Sequence, residues 1–492
     1  MYTVPWGPDP TTDTSQEAQN KKWGYWQNRI NRASLVMLTE QGIVTQDEAC
    51  VIAKAQIAAE AIQTQPNAEP INDYLPLEKL LIAECGPMAS LIHTGRSRQD
   101  IFATLWQARL RLAMLDFAQS FNALRLDMVN LAKAHTKTWI PAYTNGVQAM
   151  PISFGFYLWA FLESFQRDFE RIKQAYPRIN RSALGSAVLA NSSWPLSRER
   201  LAELLGFDAP IVNSMDSSQV SLFDIPLEAS GIAANIAVRI STLIQDLAQQ
   251  YSQTRPWFLL DSSAAYSSSA MPQKRNPGIL MKTRIKASDV IGANQVAYYR
   301  AHNLPLGMAD HKQSVSEDDA CVFVHGVQML DLMRLTLTMI RVNSERALEE
   351  LENDWTCTMA LAEELQHQYR VPFRVGHNFA SAIVTIARKE GYIPKDFPYS
   401  IAQTLYRGTA QKFNWAEWEL PLDEKQFRLS LSAPYVVETR VGLGAPNSQS
   451  TQKGLEKIEK SILADMNWLA NKRQQLIDAD QRLDKLFMNL MK

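Results

Sequence analysis

Apolar residues recur at helical spacing through long windows of this 492-residue chain, and that spacing restricts the folds open to it. An apolar face that repeats every three to four residues is typical of an amphipathic helix, whereas a half-buried strand alternates every two. Between Gln99 and about Leu365, three such windows predict long helices packed as a bundle. Their apolar faces are Leu105, Ala108, Leu112 and Leu115; Ile232, Ile236, Ile240, Leu243 and Leu247; and Leu330, Met333, Leu337 and Ile340.

Shorter helical patterns flank the predicted bundle. From Asn28 to about Leu91 they are broken at Gly42 and predict a small helical cap. On the other side, a segment that begins near Val371 ends in a charged helical tail. Because so long a chain exceeds one small core, we predict an all-α protein with three helical domains at 1–98, 99–365 and 366–492.

Charge and cysteine content narrow the classes of partner. Lysine plus arginine (50) nearly cancels aspartate plus glutamate (51), so there is no basic surface of the kind that nucleic acid or anionic lipid requires. The four cysteines lack metal-ligand spacing, and no signal peptide or membrane-spanning stretch is recognisable. We therefore predict a cytoplasmic protein with a small-molecule partner, no nucleic-acid or membrane partner, no metal and no cofactor.

Two loop segments combine side chains that carry chemistry. The first, from Ser262 to Gly278, places a serine-rich stretch before Met-Pro-Gln-Lys-Arg-Asn-Pro, so that hydroxyls lie near a fixed cation. The second, LIHTGRSRQD from Leu91 to Asp100, offers hydroxyl, guanidinium and amide groups in succession. By residue type alone, the first is either a solvated linker before a helix or a reactive loop. The second is either a helix cap with surface arginines or a clamp for a carboxylate.

Both segments resemble motifs of the fumarase/aspartase superfamily. SSSAMPQKRNPG is similar to its GSSxMPxKxNP signature, with Ser267 where glycine is usual, and HTGRSRQD is similar to the HTGRSRND box of argininosuccinate lyases. AHTKTWIPAYTNGVQAMPISFG, from Ala134 to Gly155, resembles a third family stretch. Similarity extends from about Gly24 to Ile462. The resemblance implies three helical domains and a homotetramer in which each active site draws residues from three chains.

The resemblance also implies a catalytic group. Ser268 would act as an alkoxide that removes a proton from the carbon beside a carboxylate, while Lys274 and Asn276 bind that carboxylate. Removing this weakly acidic proton leaves a dianionic aci-carboxylate, so an ammonium and an amide donor are needed where charge develops in the transition state.

A second group is expected to bind the substrate. In the family, the positions of Ser97 and Arg98 grip the succinyl carboxylates, and a threonine at the position of Thr144 assists them. Gln99 replaces the usual asparagine and is one methylene longer. Asn145 replaces a histidine credited with protonating the leaving nitrogen, and asparagine cannot exchange a proton near neutral pH. The predicted substrate-binding residues are Ser97, Arg98, Gln99, Thr144, Asn145 and Gln313.

Other positions depart from argininosuccinate lyases at the end of the pocket that holds the amine. Met308 lies at a tyrosine position and Ser316 at a lysine position. The remaining departures are Val220, Ser221, Gln27 and Ser34 at positions of aspartate, arginine, aspartate and histidine. The lost polar groups hold a planar, charged head group, and a buried site without them lacks its partners.

The leading hypothesis is a C–N lyase that splits an N-substituted aspartate into fumarate and an amine, or runs in reverse. A basic alkylamine that departs already protonated would tolerate Asn145, and family members that process aminopolycarboxylates such as ethylenediamine disuccinate illustrate the class. One alternative is a genuine argininosuccinate lyase that releases arginine. The other is a catalytically silent member with a structural or binding role, which Asn145 and Ser267 motivate.

Overall fold

The computed structural model describes residues 23–65, 68–69, 71 and 73–492, and the side chains of 309–320 lie outside that description. The chain is 71% helical, which confirms the predicted all-α class. The α-helices are α1 (Trp23–Glu40), α2 (Gln46–Gln63), α3 (Tyr74–Cys85), α4 (Arg98–Ala134), α5 (Phe154–Ile179), α6 (Arg198–Leu204), α7 (Ser221–Tyr251), α8 (Gly278–Ala301), α9 (Ala309–Met339), α10 (Ser344–Glu352), α11 (Thr358–Tyr369), α12 (Phe373–Glu390), α13 (Tyr399–Lys412), α14 (Glu424–Ser430), α15 (Ala433–Glu438) and α16 (Ser448–Asn489).

Short non-α elements join these helices. Single 3₁₀ segments occupy Gly86–His93, Ser262–Ala264 and Pro394–Asp396, and a π-helical turn, Asp216–Val220, precedes α7. The strands are β1 (Trp139–Thr144), β2 (Val147–Ser153), β3 (Arg181–Ser182), β4 (Ala209–Pro210), β5 (Phe258–Leu260), β6 (Tyr266–Ser267), β7 (Arg275–Asn276) and β8 (Ile340–Val342). They pair as β1–β2, β5–β8 and β6–β7 antiparallel, and β3–β4 parallel.

The central bundle consists of α4, α5, α7, α8 and α9, packed around one apolar core. The window from Ile232 to Leu247 supplies α7 with five buried side chains at helical spacing, and that from Leu330 to Ile340 likewise points inward. On α4, Leu105, Ala108 and Leu115 are buried. The sequence periodicity therefore predicted both the helices and their buried faces.

Two further cores flank the bundle. Helices α1 to α3 share a core with the start of α4 and with the last turns of α16, including Leu483 and Phe487. Helices α11 to α14 enclose a separate core around Phe379 and Tyr406. Helix α16 packs along α4 and α5 and reaches α1, so it ties the first core to the bundle. The domain boundaries at residues 98/99 and 365/366 stay predictions.

Helix α7, with the π-helical turn before it, is apolar enough over one 18-residue window to span a membrane by composition, with a mean hydropathy of 1.3. One face of α7, on which Ile236, Ile240 and Leu243 are completely buried, packs in the core of the bundle. The apolar window is 56% buried, and a helix that packs in a protein core has the same composition.

The β1–β2 hairpin is an element that the periodicity analysis did not predict. Its strands lack a clean alternation of buried and exposed residues, because Pro141 lies opposite Pro151 and a bulge falls between Ala142 and Tyr143. The pairing is therefore irregular, and a search of the sequence for alternating apolar and polar residues does not detect these strands.

Candidate active site

Ser268 directly follows β6, at the start of the loop of the β6–β7 hairpin that precedes α8. Its backbone N–H donates to the carbonyl of Lys274 (3.3 Å), which closes the turn. Its Oγ accepts hydrogen bonds from the backbone N–H groups of Ala270 (3.3 Å) and Met271 (3.1 Å). Two amide dipoles aimed at one hydroxyl oxygen favour its ionised form. The sequence did not predict these two backbone donors, because no side-chain type indicates them.

Lys274 and Asn276 belong to the same hairpin. The Asn276 Nδ2 donates to the carbonyl of Tyr266 (3.3 Å), in register with the pairing of these two residues. Lys274 is exposed, and within the described part of the chain its ammonium has no ion-pair partner. The three residues of the predicted catalytic group therefore lie on one hairpin, and the Lys274 ammonium is exposed to solvent, where an anionic ligand can reach it.

Ser97 begins α4 as its N-cap. Its Oγ accepts from the backbone N–H of Gln99 (3.2 Å) and donates to Asp100 (3.0 Å), whose carboxylate in turn accepts from the Ser97 N–H (2.6 Å). This is a capping box, so the segment HTGRSRQD does begin the helix, although Arg96 within it is buried rather than on the surface. The same hydroxyl also accepts from the N–H of Val188 in the loop after β3 (3.1 Å).

Arg98 extends from the first turn of α4 into solvent. Its guanidinium forms an ion pair with Asp73 (2.6 Å) and lies over the ring of Phe102. Half of the Arg98 side chain is exposed (52%), so a carboxylate ligand can replace or join Asp73 at little cost.

Thr144 and Asn145 lie at the turn of the β1–β2 hairpin. Asn145 and Gly146 form a two-residue loop with φ of +52° and +76°, the backbone of a type I′ turn, in which Asn-Gly is the favoured pair. Both Thr144 and Asn145 are exposed. Asn145 thus has a local structural reason to be asparagine, apart from any role in catalysis.

The base of this hairpin is held by Glu350 of α10. Its carboxylate accepts from the Tyr143 hydroxyl (3.0 Å) and from the Gln148 side chain (2.5 Å), and it pairs with Arg346 (3.1 Å). Burial, and then the negative charge of Glu350, raises the pKa of Tyr143 to about 12, so Tyr143 remains a donor. Glu350 was not among the predicted residues, because its partners in the hairpin, Tyr143 and Gln148, are more than 200 positions away.

Helix α7 separates the predicted groups within one chain. Its N-terminal end follows the π-helical turn whose Gln219 contacts Gln99 (2.9 Å). At its C-terminal end, Tyr251 donates to the carbonyl of Arg275 (3.0 Å) and Gln250 accepts from Tyr143 (3.4 Å). The helix has 31 residues, which at about 1.5 Å each gives a length of about 46 Å. The residues near 97 therefore lie far from the Ser268 loop of the same chain.

The remaining predicted residue, Gln313, has its side chain outside the described residues. Met308, at the N-cap of α9, is about half exposed (47%).

Two histidines near the predicted boxes occupy packing positions. His93 stacks on Tyr74, and burial together with the Arg96 guanidinium lowers its pKa to about 4. His135 shares a hydrogen bond with Thr138 (3.0 Å), and burial lowers its pKa. Both rings are therefore neutral near pH 7.

Known proteins are similar to this chain in sequence and in fold. A family model described as "Lyase" matches residues 40–292. Argininosuccinate lyase of Methanospirillum hungatei is 30% identical over 456 residues, covering 91% of this chain and 89% of that protein. Argininosuccinate lyase 1 of Shouchella clausii is 28% identical over 468 residues, covering 92% and 90%.

Two solved structures of EDDS lyase superpose closely. The complex with formate has a TM-score of 0.83 at 25% identity and covers 95% of this chain and 91% of that one. A variant with an aspartate and a tyrosine replaced by methionine, with bound fumarate, has a TM-score of 0.82 at 25% identity and covers 98% and 97%. With a family match over half its length, this chain belongs to the fumarase/aspartase superfamily as an argininosuccinate lyase-like member, a fumarate-forming carbon–nitrogen lyase.

Proposed function

We propose that the protein eliminates an amine from an N-substituted aspartate to give fumarate, or adds the amine to fumarate in reverse. The observation that carries the proposal is the β6–β7 loop. There, the Ser268 hydroxyl accepts hydrogen bonds from two backbone N–H groups, and the same loop carries the exposed Lys274, whose ammonium has no ion-pair partner among the described residues. This arrangement suits a group that must become an alkoxide and then act next to a carboxylate.

The chemistry follows from that loop. The Ser268 alkoxide takes the proton from the substrate carbon beside the carboxylate that Lys274 and Asn276 bind. The electron pair left on that carbon spreads into the carboxylate as an aci-carboxylate, which the ammonium and the amide donor stabilise. The pair then forms the double bond of fumarate as the bond to nitrogen breaks. The electrons of that bond pass to the nitrogen, which enters the step as an ammonium, so the amine leaves neutral.

Ser97, Arg98, Gln99 and Thr144 are proposed to hold the succinyl carboxylates. An arginine fork is suited to carboxylate geometry, and the capping box fixes Ser97 and the helix terminus beside it. The fumarate-bound EDDS lyase variant supports treating this half as separable, since it retains fumarate after losing an aspartate and a tyrosine.

The amine half is proposed to be less polar than that of an argininosuccinate lyase. Met308 lies at the family's tyrosine position, and the EDDS lyase variant likewise has methionine in place of a tyrosine. A basic alkylamine is already protonated while it is part of the substrate, so its departure needs no acid at Asn145.

We also propose a cytoplasmic homotetramer with shared active sites and no cofactor. Since α7 holds the Ser97 box and the Ser268 loop at opposite ends, antiparallel α7 helices from two chains would bring them together. Helices α7, α8 and α9 expose apolar side chains that a partner subunit would cover. These are Val238 (50%), Ile285 (59%), Val296 (41%), Tyr299 (75%) and Val324 (50%).

The test is turnover of fumarate with a panel of alkylamines, amino acids and diamines, followed by loss of fumarate absorbance and by mass spectrometry of the adduct. Wild type should consume fumarate with at least one amine, and Ser268→Ala should be slower by about 100-fold or more. Ser269→Ala, one residue along the same exposed loop, serves as the matched control and should stay within about twofold. If no amine consumes fumarate and Ser268→Ala changes nothing, the lyase proposal fails.

A genuine argininosuccinate lyase is the second candidate, since relatives up to 31% identical carry that name. Release of arginine from argininosuccinate, at a rate that exceeds turnover of every other amine, would establish it. No arginine release at high enzyme concentration would remove it.

A further inference from the structure

A buried glutamine contacts the predicted carboxylate clamp. Gln219 belongs to the π-helical turn Asp216–Val220, in which Ser217, Ser218 and Gln219 are at most 1% exposed. Its side-chain Nε2 donates to Oε1 of Gln99 (2.9 Å) and to Oγ of Ser218 (3.2 Å). Single π-turns within α-helical proteins are frequent at functional sites.

The direction of these hydrogen bonds is fixed by backbone carbonyls. The Ser218 hydroxyl contacts the carbonyl oxygens of Val188 and of Ser214 (3.2 Å), which can only accept. Its single proton is therefore committed to them, and its oxygen must accept from Gln219. This places the Gln219 nitrogen on the side that also faces Gln99.

The side-chain oxygen of Gln99 must consequently accept the hydrogen bond from Gln219. The Nε2 of Gln99 then points away from Gln219, and among the described residues no acceptor is hydrogen-bonded to it. Gln99 is half-buried on the first turn of α4, next to Ser97 and Arg98. The predicted clamp therefore presents the N–H groups of the Gln99 amide next to the Arg98 guanidinium. Such a group of donors suits the oxygen atoms of a carboxylate.

The backbone of Val188 contacts both Ser97 of the clamp and Ser218, which is hydrogen-bonded to Gln219. Its N–H donates to Ser97 Oγ (3.1 Å), and its carbonyl accepts from Ser218. Val188 has φ of +71° and follows Ala187 at +44°, conformations that are costly for a β-branched residue and its neighbour. The strained backbone at Val188 thus connects Ser97, through Ser218 and Gln219, to Gln99.

We propose that Gln219 is a positioning residue that fixes the polarity of the Gln99 amide, so that Gln99 donates to a carboxylate oxygen of the succinyl group. This inference rests on the proposed function. It assigns Gln99 to the succinyl end of the substrate, because a protonated amine placed there would face N–H hydrogens. The glutamine at position 99, longer than the usual asparagine, reaches its support in Gln219.

A double-mutant cycle tests the proposal, with Gln219→Leu, Gln99→Leu and the double variant made in the full chain. Fumarate affinity is measured by titration calorimetry, and KM and kcat by fumarate consumption with the amine that wild type uses best. Gln219→Leu should weaken fumarate binding and raise KM by about tenfold, with kcat within about twofold. In the Gln99→Leu background the same change should add less than about twofold.

Two further variants separate positioning from general packing. Gln219→Glu has the same shape but only accepts, so Gln99 must turn its oxygen to the substrate, and fumarate binding should fall as far as in Gln99→Leu. It also gives a readout if Gln219→Leu does not fold. Gln107→Leu is the matched control and should leave fumarate binding unchanged. Gln107 is a glutamine on α4 that is 3% exposed, and its side-chain amide has no hydrogen-bond partner among the described residues.

The possible failures are distinct. If wild type binds fumarate and the cycle shows coupling but no amine is consumed, the proposed function fails and the role of Gln219 stands. If amines are consumed but the two substitutions have independent effects, or Gln219→Glu binds fumarate like wild type, the role of Gln219 is overturned. Absence of fumarate binding by wild type would also overturn it.

Discussion

Removing Asp465 should destabilise the protein through one buried ion-pair network. Asp465 of α16 is 1% exposed and accepts from Arg125 of α4 (2.9 Å), which is completely buried, and from Lys173 of α5 (3.0 Å). Asp465→Ala leaves the Arg125 guanidinium with neutral acceptors, Asn122 and Gln166. Burial already lowers the pKa of Arg125, which indicates that its charge is held against a desolvation cost.

The magnitude follows from that burial. Breaking a buried pair by deleting one partner costs about 3 to 5 kcal/mol. An unfolding entropy of about 2.1 cal/mol/K per residue gives about 1 kcal/mol/K for 492 residues, so Tm should fall by about 3 to 5 °C. Thermal unfolding followed by circular dichroism at pH 7 measures it.

Two controls define the cause. Glu349→Ala removes a carboxylate from Arg255 in a pair that is 40% and 66% exposed, and should shift Tm by about 1 °C or less. Arg125→Met combined with Asp465→Leu replaces the pair by apolar side chains and should recover most of the loss. If Asp465→Ala melts within 1 °C of Glu349→Ala, or the double variant is less stable than Asp465→Ala, the reasoning is refuted.

Three further predictions concern other sites. The pKa of His93 falls from 6.5 unfolded to about 4 folded, so the unfolded state binds more protons between these values and stability drops as pH falls from 6.5 to 4. After discounting for partial exposure the loss is about 1 kcal/mol, and urea midpoints at pH 7 and pH 5 should differ less in His93→Gln than in wild type. Gly454→Ala places a Cβ 2.2 Å from the Trp159 ring and should destabilise by about 1 to 3 kcal/mol, whereas Gly408→Ala meets open space on a helix and should stabilise by up to about 1 kcal/mol; equal Tm values would contradict this. Asn145→Ala should destabilise by about 1 kcal/mol because of its φ of +52°, while Asn145→Asp should not, and urea unfolding tests both.

The sequence by itself determined the class of fold and the faces of its long helices. The spacing of apolar residues from Ile232 to Leu247 is a local property, because residues three and four positions apart lie on the same face of a helix. All five apolar side chains of this window are buried. The capping box of Ser97 and Asp100 is equally local. The predicted catalytic group of Ser268, Lys274 and Asn276 lies on one loop for the same reason: the three residues are close in sequence.

Only the tertiary structure decided which distant groups meet. The two amides on Ser268 Oγ depend on how the loop folds, and Glu350 reaches Tyr143 across 207 positions. The length of α7 separates the segment around Ser97 from the loop of Ser268, a distance that the sequence motifs do not indicate. The polarity of Gln99 is set by a glutamine 120 residues away and by carbonyl oxygens that can only accept. Side-chain type names the donors and acceptors, but only packing decides which of them point at each other.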